Sequence, residues 1–285
     1  MPEPRISVAL CTYNGARYLT EQLESILRQS QPPDEIIICD DRSTDDTIAI
    51  IDSFIKEYPG VIHLFINEET LHVKKNFEKA IRLCTGDLIF LSDQDDIWEP
   101  GKAEKVMTYF SEHPDTDVVF TNAYILENDK RSEKNAWDLL GFNGKRKEKL
   151  HNRGELLKHL FLKWNIATGA TMALRSTAAA VHIPFAGFTK HLHDYQLALQ
   201  SATGGSLGFI DECLIGYRLH SAQQVGIQTP VRPLLLRPFY KVRYLLNKLR
   251  LAPSRIKAKK SLAKHLQHFT SLRFPEGKVF IERFL

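Results

Sequence analysis

Asp93, Asp95 and Asp96 put three carboxylates into four residues, directly after the apolar run Leu88–Leu91. Like charges this close repel unless a cation or a basic group neutralises them. Hard carboxylate oxygens suit Mg²⁺ or Mn²⁺, which keep several waters and bridge substrate phosphates. The plain alternative is an exposed acidic turn closed by Trp98 and Pro100. A second acidic pair, Asp40-Asp41, could accept hydrogen bonds from a base or from ribose hydroxyls, or cap a helix with Ser43. The polar run Thr12-Tyr13-Asn14-Gly15 forms a third cluster. It lacks GxGxxG, and GxxxxGK[ST] occurs nowhere, which weighs against a dinucleotide oxidoreductase and a P-loop nucleotidase. A nucleotide held here is held by polar side chains and a metal. His191 and His193 form HxH without partner spacing for zinc, so they read as acceptor-side or structural.

These clusters need strands to carry them. Arg5–Cys11 and Glu35–Cys39 are short, β-branched and apolar, like strands buried on both faces. Between them Leu19, Leu23, Ile26 and Leu27 keep helical spacing. Ser43-Thr44-Asp45-Asp46 reads as a capping box opening a helix that turns Ile48, Ile51 and Ile55 inward. Val61–Ile66 is a third strand, Phe77, Ala80, Ile81 and Cys84 mark a third helix, and Asp87–Leu91 a fourth strand. Strands alternating with helices over short links predict a doubly wound α/β domain with a mostly parallel sheet. All three polar clusters then fall at the carboxyl ends of strands, where such sheets bind ligands.

Beyond Asp96 the pattern loosens. Thr116–Tyr124 reads as a strand. Glu127–Lys149 carries twelve charged residues in twenty-three and reads as a solvated loop, in which Trp137 and Phe142 either touch a ligand or dock the loop. Helical Glu155–Lys163, strand-like Thr168–Leu174, helical Asp194–Ala202 and strands near Leu207–Ile210 and Leu214–Leu219 complete the pattern.

In this order CTYNGARYL, IICDDRSTDDT, VKKNFEKAI, FLSDQDDIW, HDYQLAL and YRLHSAQQVG resemble the successive blocks of family 2 glycosyltransferases with the GT-A fold. The SDQDD form is similar to the bacterial rhamnosyltransferase-like branch. The resemblance spans about residues 5–226 and implies inverting transfer of a sugar from a nucleotide-sugar. It implies nucleotide or donor contacts from Thr12, Tyr13, Asn14, Asp40, Asp41, Lys75, Asn76, Asp93 and Gln94. It further implies metal ligation by Asp93, Asp95 and His220, and Asp194 as catalytic base, although an Asp before YQLAL is also a common helix cap. Trp98, Gly169, His193 and Tyr195 would lie on the acceptor side. Two departures stand out. His72 takes a place where relatives usually have glycine, which bears on Lys75 and Asn76, and Ala170 stands where cysteine is frequent.

The chain has 285 residues and a net charge of +4 that hides an asymmetry. Residues 230–285 hold fourteen Lys/Arg against two Glu, while residues 1–229 carry a charge of −8. The expected organisation is a glycosyltransferase domain over 1–229, its nucleotide-sugar half ending near 125 and its acceptor half over 126–229. A basic amphipathic helical tail follows over 230–285. Arg and Lys interleaved with Leu, Phe and Tyr over 231–264 suit an anionic membrane surface. Packing back on the acidic domain is the alternative, and nucleic acid is not expected, since no recognition motif accompanies the charge. Four dispersed cysteines argue against a disulfide framework and for a reducing compartment. Neither a spanning helix nor a secretory signal is expected. The expectation is therefore a cytoplasmic enzyme, peripheral to the membrane at most. It uses Mn²⁺ or Mg²⁺ and a dTDP- or UDP-linked donor, and glycosylates a saccharide or lipid-linked acceptor in bacterial surface polysaccharide synthesis. Rhamnose is the first choice of sugar, with glucose, galactose or N-acetylglucosamine as alternatives. A nucleotidyltransferase or an inactive sugar-nucleotide-binding protein are the readings of another class.

Overall fold

Strand β1 (Ile6–Thr12) is apolar without alternation, and six of its seven residues are buried. Strands β2 (Glu35–Asp40) and β4 (Leu88–Ser92) are buried along their whole lengths. Burial of successive residues means both faces of the sheet are covered there, as parallel strands require. The cover comes from helices whose apolar stripes match the predicted ones. In α1 (Ala16–Leu27) the buried residues are Leu19, Gln22, Leu23 and Ile26, and in α3 (His72–Leu83) Asn76, Phe77, Ala80 and Ile81. Helix α2 (Thr47–Glu57) leads into β3 (Ile62–Ile66).

The computed structural model describes residues 3–142, 156–157, 159–160, 165–185, 192–221, 223 and 226. All belong to one folding unit. The strand order is β3-β2-β1-β4-β8-β6-β9-β5, with β7 paired to β6. The half from β3 to β4 is parallel throughout, and its register sets Thr12 beside Asp40 and Leu10 beside Ser92. Strand β6 (Val118–Glu127) runs parallel to β9 (Leu207–Leu219). Antiparallel partners enter through β8 (Met172–Arg175), β5 (Ile97–Trp98) and β7 (Lys130–Asn135).

Three local expectations change. The two strands foreseen at 207–210 and 214–219 are one strand, whose pairing with β6 slips near Asn122. The charged segment after Glu127 is not all loop. It forms β7 and the short helix α5 (Ala136–Leu139), with Trp137 fully buried edge-on to Phe120 and Phe142. The two-residue β5 carries no periodicity to read. The capping box at 43–46 does not form. Ser43 donates instead to Asp40, the N-cap residue Asp46 makes no side-chain cap bond, and Asp45 Oδ1 accepts the first-turn Thr47 N–H at 3.1 Å.

Helices α4 (Lys102–Glu112), α6 (Ser176–His182) and α7 (His193–Gly204) complete the described unit. Among the described residues no helix is long and apolar enough to cross a membrane. His191, most of the helix expected over 155–163, and the basic tail lie outside the described residues.

Candidate active site

The carboxyl ends of β1, β2 and β4 and the start of α7 surround a cavity of about 340 Å³. Thr12, Tyr13, Asn14, Asp41, Asn76, Asp93, Gln94, Asp95, Gly169, His193 and Asp194 line it, so most of the residues singled out in the sequence meet in one place.

On the β1–β2 side the acidic pair is largely occupied by protein. Asp40, fully buried, accepts from Thr12 Oγ1 at 2.7 Å and from Ser43 N and Oγ at 2.8 and 2.6 Å. It does not line the cavity, and its hydrogen bonds fix this turn. Asp41 does line it, while accepting from Asn67 Nδ2 at 2.8 Å and from the N–H groups of Leu71 and His72 at 2.7 and 2.9 Å. Asn76 bridges Asn67 and the Cys39 carbonyl, both at 2.8 Å. Lys75 is exposed and outside the cavity lining. Gln94 brackets the backbone of Tyr13, its Oε1 accepting the N–H at 2.7 Å and its Nε2 donating to the carbonyl at 3.0 Å. A Cβ on residue 15 would collide with that amide, so any larger residue there would have to push Gln94 off the Tyr13 backbone. The Tyr13 ring is left 40% exposed, free to meet a flat ligand.

The acidic loop after β4 is closed in by two buried cations. Arg218, 2% exposed, donates from Nε to the Asp95 carbonyl at 3.0 Å and from its backbone N–H to Asp96 Oδ1 at 3.1 Å. Its other guanidinium nitrogens pair with Glu21 at 2.6 Å and with Asp129. Lys102, fully buried, lies 3.7 Å from the centre of the Trp98 ring and donates to the Ala170 carbonyl at 3.0 Å. Burial pushes the Lys102 ammonium down to about 7 against the pull of Asp96 and Asp93. Burial and the charges of Asp95 and Asp194 hold Asp93 well above the ordinary carboxylate range, and Asp96 is raised by burial and by Asp95 and Asp93. Asp96 Oδ2 is buried without a hydrogen-bond partner.

His220 Nε2 lies 2.8 Å from Asp95 Oδ2, with the Tyr18 ring 4.8 Å away, centre to centre. The structure thus joins two of the three expected metal ligands. Among the described residues no three His, Cys, Asp or Glu side chains form a cage that could hold an ion unaided. The donor set still fits Mn²⁺ or Mg²⁺, which take one or two carboxylates and complete their shell with waters and substrate phosphates. Carboxylates raised by mutual repulsion are also what a divalent cation would relieve.

Asp194 opens the first turn of α7. Burial pushes its carboxyl up to about 6, against hydrogen bonds from the N–H groups of Tyr195 and Gly169 and from Asn165. His193, pushed down to about 3 by burial, is neutral and stacks on Phe77 with ring centres 4.0 Å apart. Neither of its ring nitrogens has a hydrogen-bond partner. Two acceptor-side candidates stand outside the cavity lining. Trp98 is a core residue against Phe90, away from the cavity lining, and Tyr195 turns its hydroxyl to the Leu160 carbonyl at 2.6 Å. Sequence reading assigned no role to Lys102, Arg218 or Asn165. Only Arg218 had a signal, its place in the quoted YRLH block.

The chain is similar to several known proteins. It is 34% identical over 124 residues to "Putative glycosyltransferase EpsE" of Bacillus subtilis (strain 168), covering 44% of this chain and 45% of that protein. It is 37% identical over 102 residues to "dTDP-rhamnosyl transferase RfbG" of Shigella flexneri, covering 34% and 35%. The chain therefore spans less than half the length of these two relatives. Among solved structures, S. aureus TarS 1–349 in complex with UDP-GlcNAc shares the fold with a TM-score of 0.57 at 19% identity, over 96% of this chain and 74% of that one. Mannosyltransferase PcManGT from Pyrobaculum calidifontis, in complex with GDP-Man and Mn²⁺, does so at 0.55 and 17%, over 99% and 74%. The fold is accordingly that of the GT-A glycosyltransferases. The family model "Glycosyl transferase family 2" matches residues 7–179, from β1 into α6, and the chain belongs to that family.

Proposed function

We propose that this chain transfers a sugar, with inversion, from a nucleotide-sugar to a saccharide or lipid-linked acceptor in bacterial surface polysaccharide synthesis. The observation that carries the reading is a raised carboxyl, Asp194, lining the same cavity as Asp93 and Asp95. Its roles divide as an in-line displacement requires. Tyr13, Asn14 and Asp41 receive the nucleoside, with Thr12 and Gln94 fixing their loop. Asp95 and His220, with Asp93 beside them, would hold a divalent cation, which when bound offsets the charge of the diphosphate. Asp194 takes the proton from the acceptor hydroxyl as the new C–O bond forms at the anomeric carbon. The bond to the diphosphate breaks in the same step, and its electron pair leaves on the phosphate oxygen.

A dTDP-linked rhamnose is the first donor to try, supported by the similarity to a protein named dTDP-rhamnosyl transferase. UDP-linked hexoses are the second reading, supported by a neighbour of this fold bound to UDP-GlcNAc. The basic segment 231–264 would serve a lipid-linked acceptor by meeting an anionic membrane surface. Calorimetric titration with dTDP, UDP and GDP, with and without Mn²⁺, tests the donor side. Tight Mn²⁺-dependent binding of one diphosphate is expected, and binding of none would overturn the reading. Asp194→Asn should keep that binding and lose transfer by about 100- to 10,000-fold, the scale of a general base. Normal turnover in the variant rules out the base.

A further inference from the structure

Lys102 is a fully buried cation that the proposed chemistry does not use. Burying an ammonium is costly unless neighbouring groups compensate it. Three groups surround it. The Trp98 ring lies 3.7 Å from Nζ, the Ala170 carbonyl accepts at 3.0 Å, and Asp96 and Asp93 act on it electrostatically. The Ala170 carbonyl and the acidic pair belong to different elements beside the cavity. Asp93 and Asp96 follow β4, whereas Ala170 is the middle residue of the 3₁₀ turn Gly169–Thr171. That turn also supports Asp194, since the Gly169 N–H donates to the Asp194 carboxylate. A Cβ on residue 169 would lie 3.5 Å from the Asp194 Cβ, so the two residues pack directly.

We propose that Lys102 is a positioning residue that ties the turn beneath Asp194 to the acidic loop, setting the base against the donor site. This rests on the glycosyltransfer reading for its purpose, but its mechanical content can be measured without turnover. The link runs from α4 through one hydrogen bond and one charge interaction. Its loss should free the turn and leave the β1–β2 side, which is fixed by Asp40 and Asp41, unchanged. A residue that merely fills the core would loosen both sides together or neither.

The test compares wild type with Lys102→Met, which keeps side-chain length without the charge, and Lys102→Gln, which keeps a donor. In Lys102→Met, hydrogen–deuterium exchange should quicken at least about tenfold over residues 168–172 and 193–197, with β1 and the 40–47 segment unchanged. Affinity for the nucleoside alone, measured without diphosphate or Mn²⁺, should stay within about threefold. Turnover of a donor should fall at least about tenfold in kcat with KM nearly constant, because small displacements of a reacting group are costly. Lys102→Gln should recover part of both effects. Unchanged exchange at 168–172, or exchange quickened equally across the unit, overturns the proposal. Should Lys102→Met not fold, wild-type exchange and kcat in Lys102→Gln overturn it as well. A wild-type protein that binds no diphosphate overturns the glycosyltransfer reading instead, and the exchange comparison still decides the role of Lys102.

Discussion

Gly169→Ala isolates how tightly the base is held. The added Cβ would lie 2.8 Å from His193 Nε2, about 0.7 Å inside the ~3.5 Å at which such atoms attract best. The His193 ring cannot retreat freely, because it stacks on Phe77 at 4.0 Å and has Phe185 at 6.2 Å. The turn cannot retreat freely either, because Lys102 holds the next carbonyl. Overpacking of this kind costs about 1–3 kcal/mol. For a chain of this size each kcal/mol lowers Tm by about 2–4 °C, so a fall of about 4–8 °C is the central expectation. His193 adjoins Asp194 in the chain, so any yielding of the ring shifts the base, and a misplacement of about 1 Å can cost about 100-fold in rate. The assay is a double-mutant cycle with His193→Ala, read by denaturant unfolding and by kcat at saturating donor. Without the ring, the added methyl should cost less than about 0.5 kcal/mol, since the clash that couples the two sites is gone. A cost that persists in the His193→Ala background would refute the steric account. So would a single variant as stable as wild type.

Two further predictions follow from single groups. Asp194 must be ionised to act as a base, and burial raises its carboxyl to about 6, so kcat should rise with pH up to about 6 and level off above it. The same shift has the opposite sign for stability, because the folded protein holds this proton more tightly than the unfolded chain. Asp194 therefore disfavours folding increasingly as pH rises from about 4 to 6. A pH–rate profile flat down to pH 5 would contradict the role. His72 has φ 59, in the left-handed region that suits glycine. His72→Gly should therefore raise stability by about 1 kcal/mol, near 2–4 °C in Tm. Its N–H bond to Asp41 should survive, so nucleoside diphosphate affinity stays constant, and a lower Tm would show that the imidazole contributes more than the strain costs.

The parallel half of the sheet was legible because each of its strands is a short apolar run ending in polar residues. Parallel order alone then brings Thr12, Asp40 and the loop after Ser92 to one edge. What the polar groups do at that edge was not legible. Asp40 and Asp41 look equivalent in sequence, yet one is used up by Thr12 and Ser43 while the other lines the cavity. The difference lies in partners supplied by other elements. Gln94 and Tyr13 are 81 residues apart, and Arg218 reaches Glu21 across 197. Periodicity reports local burial, and no local pattern encodes contacts of that range. Lys102 is the sharpest case. A lysine at the start of a helix after a Gly reads as solvated, and it is the approach of β5 and the Gly169–Thr171 turn to α4 that buries it.

The two buried cations divide the acidic loop unequally, and the division bears on where a further charge belongs. Arg218 spends its terminal nitrogens on Glu21 and Asp129 and meets the loop through Nε and its backbone N–H. It therefore fixes the loop's shape more than it neutralises the loop's charge. Lys102 acts on Asp96 and Asp93 from within. Asp95 is left with His220 as its partner, and it is the carboxylate that both lines the cavity and meets an imidazole. Negative charge uncompensated by protein thus collects on the side a diphosphate would approach, where two anions could share space only through a cation. On the proposed reading, Lys102 and Arg218 hold the loop's fold, and a further positive charge accompanying a nucleotide would offset the carboxylates they leave facing the cavity.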